Sequence, residues 1–219
     1  MKLRYILLFA SIVGSARGQE AIHDTALARV EAQALLETLN ADLLSHDSAT
    51  LTLERWCGTH HLAPEARIRA ELVRGQNKAL TPAQRKDLGI SATEPVRYRR
   101  VRLSCGGQVL SEADNWYVPR LLTPEMNRQL DETDTPFGRV VLSLGFARHT
   151  LAADLLWHPL KDGWETVPLP ADQPGMLSIP QEVLQHRAVL TTREGVPFCA
   201  VVETYQSAMF AFPLPAASP

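Results

Sequence analysis

The stretch from Arg100 to Gly138 constrains the fold more than any other part of the chain. Two extended runs, Val96–Ser104 and Gln108–Val118, flank the dipeptide Gly106-Gly107. Paired glycines between extended runs are typical of a β-hairpin, because its tight turn needs positive φ angles that glycine adopts without strain. A helix with its own capping residue begins at Thr123. We therefore predict a hairpin that leads directly into a helix.

The remaining periodicities predict helices first and strands later. Apolar residues from Asp24 to His46 recur at spacings of three and four, which places them on one face of a helix. From Arg67 to Val73 apolar and charged residues alternate, which indicates a half-buried strand. Other predicted elements are helices at Ser48–Cys57 and Thr81–Gly89, a strand at Gly138–Phe146, a loop with short strands at Ala147–Pro180, helical turns at Ser178–His186, and a hairpin of Arg187–Thr192 with Pro197–Tyr205. Strands joined by hairpins rather than by βαβ crossovers predict one α+β domain with an antiparallel sheet.

The N-terminus has the charge pattern of a secretory signal peptide. Lys2 and Arg4 precede the apolar run Tyr5–Val13, and small residues follow it. This run is shorter than the ~20 residues that cross a bilayer as a helix. We therefore assign 1–18 to a signal peptide and 19–219 to an exported, periplasmic domain without a transmembrane segment. An uncleaved anchor is one alternative. A misassigned start site is another, and it would leave the protein in the cytoplasm.

The three cysteines, Cys57, Cys105 and Cys199, allow two interpretations. In an oxidising compartment two of them can pair. Their odd number and wide spacing instead favour three buried or half-buried thiols. Cys57 also stands close to His60 and His61, but three crowded ligands without a fourth do not make a zinc site. We predict no metal site.

Charge and motif content exclude several classes of function. The formal net charge is −2 and no long basic run is present, so nucleic-acid binding is not expected. The Gly106-Gly107 pair precedes a strand rather than a helix, which is the wrong context for a phosphate-binding loop. Neither a Gly-x-Ser-x-Gly elbow nor a His-Glu-x-x-His motif occurs. The sequence leaves the oligomeric state open.

Charged residues within two predicted strands are the candidate site residues. Strand alternation sends Arg100 and Arg102 to one face of the hairpin, and Arg97 and Arg99 to the other. An arginine on the core side needs an anionic partner, because an unpaired buried charge is costly. That partner is either an internal carboxylate or a bound carboxylate ligand. Glu203 lies in a strongly apolar strand, where it either faces solvent, forms a structural pair with an arginine, or points into a pocket.

At these residues the chain resembles the chorismate lyases, the chorismate pyruvate-lyases that supply 4-hydroxybenzoate for quinone synthesis. The hairpin from Tyr98 places Arg100 on the position of the family's ligand-binding arginine. Thr135–Arg139 reads Thr-Pro-Phe-Gly-Arg and is similar to the family's Thr-Pro-Leu-Gly-Arg, whose leucine contacts the ligand. Glu203 follows a Gly-Val-Pro segment and an apolar strand, as does the family's active-site glutamate. The segment Leu88–Val96 also resembles the effector-binding domains of some bacterial transcription regulators.

The resemblance implies a chorismate lyase-like α+β fold, in which an antiparallel sheet wrapped by helices encloses an internal ligand pocket. Arg100 and Glu203 would be the catalytic residues, with Arg100 clamping a substrate carboxylate and Glu203 acting at the ring hydroxyl or the departing oxygen. The implied ligand-binding residues are Ala49, Arg100, Trp116, Phe137, Gly138 and Glu203. The family's reaction requires neither a metal nor an organic cofactor.

Two functions follow from the resemblance. The first is elimination of pyruvate from chorismate to give a hydroxybenzoate. The second is an exported binding protein that holds a small aromatic carboxylate, of the chorismate or 4-hydroxybenzoate type, without turning it over. A cell-envelope protein without a ligand is a third and simpler hypothesis. Chorismate is made in the cytoplasm, so the predicted export of this chain counts against turnover.

Overall fold

A six-stranded sheet organises residues 22–212, the part of the chain that the computed structural model describes. The predicted signal peptide, residues 1–18, lies outside the described residues. The helices and strands are α1 (Ala26–Leu44), α2 (Ala49–Thr59), β1 (Ile68–Leu72), α3 (Pro82–Asp87), β2 (Arg97–Cys105), β3 (Gln108–Tyr117), α4 (Pro124–Glu132), α5 (Phe137–Val140), β4 (Ala147–Leu155), β5 (Glu182–Thr191) and β6 (Pro197–Gln206). The strand order is β1-β2-β3-β6-β5-β4, and every neighbouring pair is antiparallel. The predicted α+β class with an antiparallel sheet is confirmed.

Strand alternation gives the sheet two chemically different faces. Along β2, the side chains of Val101, Leu103 and Cys105 are buried together with apolar residues of α1 and α2. We call this helix-covered side the inner face. Arg100 and Arg102 lie on the opposite, outer face, as the period-two pattern predicts.

Polar side chains fix where the helices begin. Thr25, Ser48 and Thr123 each accept a hydrogen bond from the backbone N–H three residues further on. Thr81 and Gln84 form a reciprocal capping box, as their spacing predicts. Each cap satisfies one of the N–H groups that a helix leaves without an intrahelical partner.

Two predicted elements are wrong, and both errors have a physical cause. Residues 138–146, predicted as a strand, form most of α5 and a 3-10 turn, because Phe137, Val140 and Val141 are buried at helical spacing. Residues 178–186, predicted as helical turns, lead into β5. This strand pairs on both edges, and the only apolar residues in its first half are the neighbours Val183 and Leu184, so this half lacks the alternation of a half-buried strand. The predicted loop at 147–180 begins with a full strand, β4.

A disulfide joins Cys57 near the end of α2 to Cys105 at the end of β2. The prediction of three separate thiols is therefore wrong, and the alternative of one pair holds. Cys199 remains as a free, buried thiol. Among residues 22–212, no group of three or more His, Cys, Asp and Glu side chains is arranged to hold a metal ion. No helix in this range combines the length and the apolar character needed to cross a membrane.

Candidate functional site

A small cavity lies between the inner face of the sheet, the first turn of α2 and α5. Its volume is about 30 Å³, which is room for about one or two water molecules. Four of the six predicted ligand-binding residues line it, namely Ala49, Phe137, Gly138 and Glu203. The structure thus brings these four residues together, and their contact with a ligand stays a prediction.

Antiparallel pairing directs Glu203 into this cavity. Glu203 lies opposite Ala113 of β3 on one side and His186 of β5 on the other. All three side chains are buried, and that of Glu203 is only 8% exposed. Of the alternatives open for Glu203, the solvent-facing one does not hold.

Arg148 of β4 is the counter-ion of Glu203. Its Nη2 atom lies 2.7 Å from Glu203 Oε2, and the side chains are 4% and 8% exposed. The Tyr205 hydroxyl donates a second contact to the same carboxylate oxygen at 3.2 Å. Burial is the largest single influence and would lower the pKa of Arg148, but the charge of and close polar contact with Glu203, together with smaller contributions from Tyr205 and Cys199, leave the pKa above its ordinary value. A buried ion pair therefore forms one wall of the cavity.

The hydrogen-bonding capacity of Arg148 is not used up by this pair. Within the described residues, its Nε and Nη2 atoms are buried and have no hydrogen-bond partner. Nη2 is close to Glu203, but its N–H groups are not aligned with that oxygen. Unpaired buried donors cost free energy, so native structures rarely retain them without a reason. The guanidinium accordingly presents an open donor edge to the cavity.

A second buried polar side chain, that of His186, lies opposite Glu203 on the neighbouring strand β5. His186 Nε2 lies 2.9 Å from Asn40 Oδ1, an arrangement that calls for the Nε2–H tautomer. The His186 ring meets the Tyr205 ring edge-on at 5.4 Å. Burial, aided by the charge of Arg148, lowers the pKa of His186 to about 4. At neutral pH the imidazole is therefore uncharged.

His186 should make the fold sensitive to acid. The unfolded chain binds a proton at the ordinary pKa of 6.5 and the folded chain only near 4, so the contribution is complete above pH 6.5 and is lost as the pH falls towards 4. The loss amounts to about 3 kcal/mol. Urea unfolding at pH 7 and pH 4.5 should show a smaller acid loss for His186→Gln than for the wild type. The exposed His158→Gln variant should lose as much unfolding free energy between pH 7 and pH 4.5 as the wild type. An equal loss in all three proteins would contradict this role of His186.

The first turn of α2 forms the wall opposite the sheet. Residues Ser48, Ala49 and Thr50 line the cavity at the N-terminus of an eleven-residue helix, the end that carries a partial positive charge. Gly138 lets α5 approach this turn closely. A Cβ atom on Gly138 would lie 3.2 Å from Thr50 Oγ1 and 3.3 Å from Ser48 Oγ. The glycine in the Thr-Pro-Phe-Gly-Arg segment is thus explained by packing.

The cavity adjoins a larger cleft that opens towards solvent. The cleft has a volume of about 240 Å³. Asp47, Ser48 and Phe146 line both spaces and so form the boundary between them. Asp47 also accepts a hydrogen bond from the backbone N–H of Arg148 at 2.8 Å, which ties this boundary to β4.

Arg100, one of the two remaining predicted site residues, lies on the outer face and away from Glu203. Because Arg100 and Val101 are neighbours in β2, their side chains point to opposite faces. Arg100 contacts Glu112 at 2.5 Å and Asp114 at 3.5 Å. Its charge is therefore already matched by internal carboxylates. The structure does not place Arg100 where it could clamp a ligand in the cavity.

Trp116, the other remaining residue, also lies outside the cavity. Its indole N–H donates to the backbone carbonyl of Lys78 at 2.8 Å, and its ring packs on Tyr98 with centroids 5.4 Å apart. Trp116 therefore holds the loop before α3 against the outer face. The sequence did not predict several residues that line the cavity. The most important of them is Arg148, and Asn115 and Thr50 are others.

The fold and the cavity define an α+β protein with a charged cavity between one antiparallel sheet and its helices. The chain belongs to the family of the uncharacterized protein y4mC of Sinorhizobium fredii. It is 52% identical to that protein over 193 residues, which cover 87% of this chain and 81% of y4mC. No protein-family model matches the chain.

Solved structures provide more distant likenesses. PhnF from Mycobacterium smegmatis matches 80% of this chain and 71% of its own at 14% identity, with a TM-score of 0.48. YydK from Bacillus subtilis, described as a possible transcriptional regulator, matches 68% of this chain at 17% identity, with a TM-score of 0.41. The chain spans 62% of the length of YydK.

Proposed function

We propose that this protein binds a small aromatic carboxylate in the cavity between α2, α5 and the sheet. The open donor edge of Arg148 is the observation that carries the proposal. Nε and Nη2 lie along one side of a guanidinium, and two parallel N–H donors fit a carboxylate bidentately. The positive end of α2 faces the same space and favours an anion there.

The walls around the ion pair suit an aromatic ring. Phe137 and Phe146 line the cavity on the side of α5, and Leu103 and Val201 line it on the side of the sheet. Glu203 is an acceptor for a ring hydroxyl, which is the role that the resemblance to chorismate lyases implies. A ring needs more space than the present 30 Å³, since a cavity that holds benzene measures ~150 Å³. Outward movement of Phe146 would add the adjoining cleft to the cavity.

Binding is favoured over turnover by the position of Arg100. Elimination of pyruvate from chorismate involves a substrate with two carboxylates, and the resemblance gives the clamping role to Arg100. That residue is paired with Glu112 and Asp114 on the outer face. The cavity therefore offers one guanidinium, and Glu203 already neutralises it. Lyase activity remains the second hypothesis, on the resemblance alone.

Thermal unfolding with 4-hydroxybenzoate tests the proposal. At a ligand concentration of 100 Kd, binding should stabilise the wild type by about 2.7 kcal/mol. Arg148→Lys keeps the charge but loses the bidentate edge, so we expect this stabilisation to disappear. Arg100→Lys, on the outer face, is the matched control and should respond like the wild type.

The opposite pattern would contradict the proposal. If Arg100→Lys abolished the response and Arg148→Lys kept it, the ligand would bind on the outer face. Incubation with chorismate, followed by assays for pyruvate and hydroxybenzoate, distinguishes turnover from binding. Formation of both products by the wild type would favour the lyase hypothesis.

We also propose that the protein is exported to the periplasm. The Cys57–Cys105 disulfide supports export, because such bonds persist in oxidising compartments and are rare in the cytosol. Alkylation of free thiols in acid-quenched cells under denaturing conditions tests the proposal. One reactive cysteine per unfolded chain, Cys199, is the expected result, whereas three would indicate a reducing compartment.

A further inference from the structure

Charge and hydrogen bonding are satisfied to different degrees around Arg148. Its positive charge is matched by Glu203 at 2.7 Å, yet two of its nitrogen atoms keep unpaired N–H groups. A neutral acceptor could fill the open edge without changing the net charge. A carboxylate would fill it equally well, but two carboxylates would then flank one guanidinium whose side chain is only 4% exposed.

We infer that a carboxylate bound in this cavity is accompanied by one proton, which Glu203 takes up from solvent. The inference rests on the proposed function and adds a statement about the protonation of the same site. One O–H bond forms on Glu203, and no other covalent bond changes. The protonated carboxyl group then has a donor of its own, which it can direct to the ligand carboxylate or to a ring hydroxyl.

The charges that line the cavity motivate the inference. Arg148 contributes one positive charge, Glu203 one negative charge, and the N-terminus of α2 a fraction of a positive charge. Asp47 adds a negative charge at the boundary with the cleft. An added carboxylate would leave a clear excess of negative charge where Arg148 and Glu203 are more than nine-tenths buried. Uptake of a proton removes that excess, since like charges at short range cannot all stay ionised in a desolvated site.

Several groups around Glu203 are candidates for the proton. The titratable or charged groups around it are Arg148 from β4, His186 from β5, Cys199 and Tyr205 from β6, and Asp47 from the connection between α1 and α2. β3 contributes no such group, because its residues here are Ala113 and Asn115. Burial holds the pKa of Cys199 and Tyr205 well above their ordinary values, so both are already protonated. Arg148 is protonated as well, and Asp47 is exposed to water. Glu203 and His186 remain.

Glu203 is the better acceptor of the two. It shares the guanidinium with the ligand, so it bears most of the repulsion from an added carboxylate. His186 lies directly opposite Glu203 and donates Nε2–H to Asn40, so a proton would go to Nδ1 and create a buried N–H without a partner among the described residues. A proton on His186 would also place a second cation beside Arg148, whose charge already disfavours it. The proton therefore belongs on Glu203.

Calorimetry with a matched pair of ligands tests the inference. Binding of 4-hydroxybenzoate is measured at pH 7 in phosphate and in Tris, whose ionisation enthalpies differ, and 4-hydroxybenzamide serves as the neutral control. The carboxylate should take up about one proton, and its affinity should fall about tenfold per pH unit above neutrality. The amide should bind without proton uptake and with an affinity that does not change with pH.

Two variants assign the proton to a residue. E203Q should bind the carboxylate without proton uptake, whereas H186Q should keep the uptake of the wild type. Uptake that persists in E203Q, or carboxylate binding by the wild type without uptake, would overturn the inference and leave the proposed function standing. If neither ligand bound the wild type, the proposed function itself would fail and the inference with it. The wild-type measurement decides the question even if E203Q does not fold.

Discussion

Replacing Arg148 with methionine should destabilise the fold by about 3–5 kcal/mol. Methionine keeps most of the length of the arginine side chain but removes its charge, so Glu203 would be left as an unpaired charge in a buried site. The wild-type pair is separated by 2.7 Å, and its side chains are 4% and 8% exposed. Water can therefore do little to replace the lost partner. The free energy of unfolding in urea measures the effect.

A double variant distinguishes the cost of leaving one charge without its partner from the cost of losing both charges. Arg148→Met combined with Glu203→Met leaves no charge behind and keeps a similar volume. We expect this variant to be much closer to the wild type than either single variant, and even to exceed it, because apolar replacement of a buried pair is often neutral or stabilising. In the double-mutant cycle formed by the wild type, the two single variants and the double variant, the coupling energy between Arg148 and Glu203 should be several times larger than its measurement error.

Arg97 supplies the matched control. Its ion pair with Asp131 has the same 2.7 Å distance, but the side chains are about half exposed, at 48% and 52%. Arg97→Met should cost less than about 1 kcal/mol, because water screens an exposed pair. Equal losses for Arg97→Met and Arg148→Met would show that burial does not set the value of the inner pair.

Elements with a complete local signal could be predicted from the sequence. The β2–β3 hairpin has a glycine at its turn with a φ of 57°, and α3 has both halves of its capping box. Each signal lies within a few neighbouring residues, so it can be read without knowledge of the tertiary structure. The assignment of Arg100 to one face of β2 succeeded for the same reason, since alternation is a local property. Alternation does not say which face the helices cover.

The errors arose where tertiary contacts decide the structure. The first half of β5 has Val183 and Leu184 side by side as its only apolar residues, so its sequence has no period that distinguishes a strand from a helix. β4 has a register shift between Thr150 and Ala152, and this irregularity breaks its alternation. Arg148 was missed because it lies in β4, which was predicted to be part of a loop. A buried Glu203 requires a cationic partner, and this requirement was the signal that could have directed attention to Arg148.

Of the six residues that the resemblance implies, four line the cavity, whereas Arg100 and Trp116 lie on the outer face. Ala49, Phe137 and Gly138 lie on α2 and α5, whose close approach defines the cavity. The guanidinium in the cavity comes from β4 and not from β2. Strand register decides which arginine reaches the inner face, and a single-residue difference reverses the outcome. Arg148 therefore occupies the position in the cavity that the resemblance gave to Arg100.

Removal of the Cys57–Cys105 disulfide should destabilise the fold by about 4 kcal/mol. A disulfide that closes a loop of 15 residues stabilises a fold by ~3 kcal/mol and one that closes a loop of 100 residues by ~4.7 kcal/mol, and the length of this loop lies between the two. The two cysteines are 48 residues apart, and the loop contains β1, α3 and most of β2. Without the bond, the unfolded chain gains freedom that the folded chain does not. The double variant Cys57→Ala/Cys105→Ala, compared with the wild type by thermal unfolding, should show a midpoint lower by about 8–16 °C.

Reductant provides the control for this variant. Both cysteines are fully buried, so dithiothreitol should reduce the native protein only as fast as the protein unfolds. Reduced wild-type protein should unfold at the temperature of the double variant, and reductant should leave the double variant unchanged. A midpoint shift of less than 2 °C would contradict the loop-closure account. The disulfide lies near the end of α2 that is remote from Ser48, so stabilisation by 4-hydroxybenzoate should survive its loss. The bond would then stabilise the scaffold of the cavity without contributing to its chemistry.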